Sequence, residues 1–64
     1  MCRSIKTLRT EEVVTDDDVR AAALQFVRKI SGYRQPSKAN TAAFERAVDE
    51  VATSTVRLLE AVRR

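Results

Sequence analysis

The sequence predicts an all-α protein: an antiparallel helical hairpin of two helices with an irregular N-terminal arm, the hairpin pairing into a four-helix bundle. Three observations lead there. Over residues 37–63 the positions Phe44, Val48, Val51, Thr55, Leu58 and Val62 recur at spacings of 4-3-4-3-4, with Ala47, Ala52 and Leu59 widening the stripe. That is the a/d spacing of a helix packed along a partner over its whole length. A shorter stripe precedes it, Val19, Ala22, Ala23, Phe26, Val27 and Ile30. Between the two stand the chain's single glycine, Gly32, and its single proline, Pro36.

Sixty-four residues make one domain, 1–64. Its parts read as an arm over 1–14, a helix over 16–31, a turn over 32–36 and a long helix over 38–63. A core of this size rarely supplies more than about 3–5 kcal/mol without a staple, a metal or a partner. Cys2 is the only cysteine, so the staple is not a disulfide, and a lone thiol fits a reducing cytoplasm. Histidine is missing, and with it the commonest zinc ligand and the general base that works near neutral pH. No apolar run reaches membrane-spanning length, and residues 1–10 lack the apolar core of a secretory signal. Twelve Lys/Arg against nine Asp/Glu give a formal charge of +3. A balance so small, with the signs interspersed, describes a solvated surface and demands no nucleic acid. These bounds predict no enzyme, no cofactor and no metal.

The arm is the least determined part. Ile5 and Leu8 are spaced as on one helical turn, whereas Thr7, Thr10, Val13 and Val14 favour extended backbone. It reads as an irregular or briefly helical segment whose Ile5, Leu8 and Val14 lie on the helices.

The first helix begins sharply. Thr15 stands at the N-cap with Asp18 at N3, the pattern of a capping box, and Asp16, Asp17 and Asp18 meet the positive end of the helix dipole. Val14 and Val19 are placed as a hydrophobic staple, and Asp16 and Arg20 are spaced for an ion pair. Three adjacent carboxylates without a glycine-turned loop do not make a calcium site. Arg28 and Lys29 complement the other end of the dipole, and Gly32 supplies the left-handed residue that closes the helix.

Pro36 cannot continue a helix, and Ser37 or Asn40 can cap the next one. The long helix outruns the first by more than a third, so its last turns, around Leu58, Leu59 and Val62, need either the arm or another chain to cover them. Thr55, at a seam position, can satisfy itself on the carbonyl four residues back. The alternative is that it fixes register between chains, as buried polar groups do in coiled coils.

Specific residues resemble a known family. Met1-Cys2-Arg3 and Ile5, the block from Ala21 through Phe26-Val27-Arg28-Lys29-Ile30-Ser31-Gly32, then Pro36-Ser37-Lys38-Ala39-Asn40, Phe44 and Ala47-Val48 are similar to a family of short bacterial proteins, domain of unknown function 2277. The chain departs from that pattern at Ser4, where Asn is usual, and over residues 9–14, where the family is richer in Phe and Pro. The resemblance implies a small bacterial cytoplasmic protein and brings no activity, cofactor or partner with it.

Chemistry has three candidate places. Removal of Met1 would leave Cys2 as a terminal aminothiol, with Arg3 favouring the thiolate, a group able to bind a soft metal or sense oxidants. The competing reading is an ordinary cysteine. Arg28, Lys29, Arg34 and Lys38 gather at the turn beside Tyr33 and Asn40, where weak nucleic-acid binding is conceivable. Two of those cations are already explained by the helix dipole, and a 25-residue helix is not a recognition helix. The third place is the stripe of Phe44, Val48, Val51, Thr55, Leu58, Leu59 and Val62, a surface for a second copy or another protein. The sequence therefore favours an interaction protein, self-associating or an accessory subunit of a larger complex.

Overall fold

A computed structural model describes residues 7–62. Two helices, α1 (Asp16–Ser31) and α2 (Thr41–Val62), lie against each other in a hairpin, and no strand occurs among the described residues. At 1.5 Å per residue α1 is about 24 Å long and α2 about 33 Å. The body measures 41 × 21 × 16 Å, with a radius of gyration of 12.4 Å. A compact 64-residue domain would have about 10.7 Å by the usual scaling, so this chain is elongated and thin.

The start of α1 is the capping box that its sequence spells out. The Asp18 amide donates to Thr15 Oγ1 at 3.1 Å, and the Thr15 amide donates to Asp18 Oδ2 at 3.0 Å. Two amides that lack partners inside the helix are thereby satisfied by each other's side chains. At the far end Gly32 has φ 77°, and its amide donates to the Arg28 carbonyl at 2.9 Å. A side chain in that conformation would crowd its own backbone, so glycine ends the helix there.

The second helix starts later than its sequence suggests. Lys38–Asn40 form one 3₁₀ turn, and the α-helix proper begins at Thr41 and is described to Val62, whereas the sequence reading ran it over 38–63. The reason lies in how the turn satisfies its polar groups. The Ser37 side chain makes no capping bond; its carbonyl instead accepts from the Asn40 amide at 2.9 Å and from Thr41 Oγ1 at 3.0 Å. A three-residue closure of this kind is tighter than an α-turn. Asn40, the other capping candidate, directs its side-chain amide to the Tyr33 hydroxyl at 3.2 Å and so ties the link to α2.

The core is small. Ala23, Val27 and Val48 form its centre, with Leu24, Phe44, Ala47, Val51 and Ala52 packed around them partly buried. Val19 and Leu8 are buried toward the open end of the hairpin. No large side chain among the described residues is completely enclosed. Two helices touch along one line only, so each keeps two flanks in contact with water.

Candidate interaction surface

The seam of α2 follows the geometry of a straight helix, and this displaces one residue from its expected place. Phe44, Val48, Val51 and Thr55 all point toward α1, fully or partly buried. The next seam residue is Leu59, not Leu58, which is 58% exposed. A repeat of 3.5 residues drifts about 20° per heptad on a helix of 3.6 residues per turn. Over two heptads the drift reaches about 40°, which turns Leu58 toward the flank and brings Leu59 toward the covered side. Thr55 satisfies itself, its hydroxyl donating to the Val51 carbonyl at 2.7 Å.

The first helix shows the same rotation. Val19, Ala23 and Val27 are buried, but Phe26 and Ile30, which the stripe placed with them, are 44% and 67% exposed. Leu24, outside that stripe, packs on the core instead. Val19, Ala23 and Val27 repeat every four residues, a row inclined to the helix axis, and such rows interlock when helices cross. Phe26 and Ile30 lie on one flank of that row.

The two flanks of the hairpin differ in chemistry. On one, Arg20 Nη2 reaches Asp49 Oδ1 at 2.8 Å across the helices, where the sequence spacing had suggested Asp16 as the partner of Arg20. Glu45, Val56 and Glu60 follow on the same side of α2 by helical spacing. On the opposite flank α1 carries Ala22, Phe26 and Ile30, and α2 carries Ala43, Leu58 and Val62, with Ala47 and Val51 where that flank meets the core. Antiparallel neighbours have opposite axes and mirrored positions, so the sectors turned away from the Arg20–Asp49 side, about 120° from Arg20 to Phe26 and about 180° from Asp49 to Leu58, coincide on one face. Of its larger side chains Phe26, Ile30, Leu58 and Val62 are all exposed. Asp18, Lys29, Glu50 and Ser54 mark its borders by the same spacing.

The overhang of α2 is half covered. The arm brings Leu8, 7% exposed, and Val14 to a cleft of about 630 Å³ that Val19, Val56 and Leu59 also line, with Arg9, Glu11, Glu12, Asp16 and Glu60 around it. The Glu11 amide donates to the Leu8 carbonyl at 3.0 Å, which turns the arm there. Val13, by contrast, is 71% exposed. Leu58 and Val62 lie on the other side of α2 and stay open.

At the turn, Arg28 is committed to structure: Nε donates to the Arg34 carbonyl at 3.0 Å and Nη1 to Gln25 Oε1 at 3.4 Å. Lys29, Arg34 and Lys38 are exposed around it. The four cations thus share one end of the molecule, but one of them fastens the loop. Cys2, the candidate reactive thiol, and Ile5 lie outside the described residues. Among those described, no group of three or more His, Cys, Asp or Glu is arranged to hold a metal ion, and no helix is long and apolar enough to cross a membrane.

A hairpin with a Thr15-capped first helix, a clasped basic turn and one open apolar flank defines a small all-α protein. The chain belongs to the family described as uncharacterized conserved protein DUF2277, which it matches over residues 1–64. No curated protein and no solved structure matches it.

Proposed function

We propose that the protein is a non-enzymatic helical interaction module of the bacterial cytoplasm, self-associating or serving as an accessory subunit, and that it acts through the apolar flank of the hairpin. The supporting observation is the exposure of Phe26, Ile30, Leu58 and Val62 on one face. Monomeric soluble proteins seldom leave contiguous apolar patches beyond a few hundred Å² uncovered, and larger ones mark contact sites. The thinness of the core argues in the same direction, because a two-helix body gains stability from any partner that covers this flank.

Leu58→Asp tests the reading. Leu58 is outside the core, so the variant is expected to keep its helicity by circular dichroism. It is expected to lose whatever the wild type binds, whether a second copy in light scattering or another protein in a pull-down from its own cells. Unchanged association with retained helicity would refute it.

A further inference from the structure

We infer that the turn end of the hairpin binds single-stranded nucleic acid, with its cations on the phosphates and the Tyr33 ring stacked on a base. This surface is separate from the apolar flank and serves a different class of partner.

Charge is divided unevenly along the chain. Between Asp18 and Glu45 lie 26 residues that hold five of the twelve cations and none of the nine carboxylates. Arg20 is paired with Asp49, which leaves Arg28, Lys29, Arg34 and Lys38 at the turn. Among the described residues the side chains of Lys29, Arg34 and Lys38 make no hydrogen bond or ion pair. Residues 1–6 and 63–64 contain no Asp or Glu, so they bring no carboxylate side chain to neutralise this end. The dipole of α1 accounts for Arg28 and Lys29. It does not account for Arg34, and Lys38 stands just ahead of α2, at the positive end of that helix, where a cation is disfavoured.

The loop holds these charges on a fixed frame. Gly32 turns the chain, Arg28 Nε donates to the Arg34 carbonyl at 3.0 Å, and the Tyr33 amide donates to Ser31 Oγ at 3.2 Å. The Tyr33 hydroxyl accepts from the Asn40 side chain at 3.2 Å. Tyr33 is thereby tied at both ends, its backbone beside Arg34 and its hydroxyl at the 3₁₀ turn that contains Lys38. The ring, 42% exposed, runs from the segment of one free cation to that of the other.

An exposed ring between cations fits a base flanked by phosphates. Base–aromatic stacking tolerates any sequence, but it needs an unstacked base, which a duplex does not offer. A single strand also requires no helix inserted into a groove, an element this hairpin lacks. An acidic peptide would use the cations and leave the ring without a partner.

Fluorescence anisotropy with labelled single strands of RNA and of DNA, about 12 nucleotides long, tests this against a duplex of the same sequence. At about 50 mM salt the single strands are expected to bind with a Kd below about 10⁻⁴ M, the weak limit of non-specific binding. Three or four phosphate contacts give a slope of about −2 to −3 in log K against log salt, hence roughly 20–50-fold weaker binding at 200 mM. Arg34→Ala with Lys38→Ala is expected to weaken binding and to make that slope shallower by about 1.4. Tyr33→Ala is expected to cost about 5–150-fold, the worth of one stacked base, and Tyr33→Phe to keep most of the affinity. Arg57→Ala, about 24 Å along α2 from its start, is expected to bind as the wild type does. Circular dichroism checks that each variant keeps its helices. Tyr33 is the only tyrosine and the chain has no tryptophan, so its fluorescence in the wild type reports the stacking directly: quenching by an unlabelled single strand is expected. No binding of either strand, a duplex bound as tightly, or tyrosine emission unchanged at saturation would overturn the inference. So would binding to polyglutamate or to phosphatidylglycerol vesicles in place of the single strands, which would assign the turn to an acidic protein or to a membrane surface.

Discussion

The two flanks of the hairpin are made by the same two helices and lie only a helix diameter apart, yet they are satisfied in different ways. One flank carries a cross-helix ion pair, Arg20 to Asp49, and at its end Leu8 of the arm shares a cleft with Val56 and Leu59. The other carries Phe26, Ile30, Leu58 and Val62 in the open. A thin two-helix protein has too little apolar surface facing inward to absorb every apolar residue it contains. The arm can cover only one side. The difference teaches that the exposure of Leu58 follows from its angle on α2 and from the side the arm takes, and that the uncovered flank is the surface through which the proposed association would act.

The comparison is broken most forcefully by placing the same charge at two sites of α2. Val48, 4% exposed, sits in the core, and Leu58 sits on the open flank. Val48→Asp buries an unpaired carboxylate, which costs about 3–5 kcal/mol, as much as a core of this size supplies. Loss of cooperative melting and of most helicity is expected. Leu58→Asp in the isolated hairpin is expected to cost no more than about 0.5 kcal/mol, as exposed substitutions do. If both variants unfold to the same extent even when dilute, the two faces are not distinct.

Smaller effects sharpen the role of the arm and the ends of α1. Thr15→Ala removes one half of the capping box and is expected to lower stability by about 1 kcal/mol in chemical denaturation. Gly32→Ala meets no atom within 4 Å of the added carbon. Its cost is therefore backbone strain alone, about 1 kcal/mol for a side chain in the left-handed region. A neutral Gly32→Ala would mean that the helix end relaxes to another geometry.

Much of this was legible from residue types. Thr15 and Asp18 announced the cap, Gly32 the helix end, and the two stripes the hairpin, because each signal is local and a few neighbouring residues decide it. What residue types leave open depends on angles between helices. A stripe of period 3.5 and one of 3.6 differ by about 40° after two heptads, so of the neighbours Leu58 and Leu59 the first turns to the open flank and the second is half-buried. Phe26 and Ile30 sit one step from the buried row of α1, and only the crossing of the two helices decides which row turns inward. The partner of Arg20 followed the same rule: Asp16 is its neighbour in sequence, Asp49 its neighbour across the hairpin. The start of α2 turned on whether the Ser37 hydroxyl or its carbonyl served the next turn, two outcomes with the same sequence pattern.

The smallest expected effect belongs to the flank that is already satisfied. Arg20 and Asp49 approach to 2.8 Å, but their side chains remain 56% and 62% exposed. At that exposure water and salt screen the charges, and ordering two long side chains costs entropy, so such pairs contribute roughly 0.2–1 kcal/mol. A double-mutant cycle with Arg20→Ala and Asp49→Ala removes the separate effects of each truncation and leaves the coupling between them. The coupling is expected to fall within that range and to decline further at 1 M salt, where the screening length is about 3 Å. Association should be unaffected in all three variants, since the pair lies on the flank opposite Phe26 and Leu58. A coupling well above this range would show the ion pair to be a principal fastening of the hairpin. Loss of association on Arg20→Ala, with helicity intact, would show that the docking face had been assigned to the wrong side of the molecule.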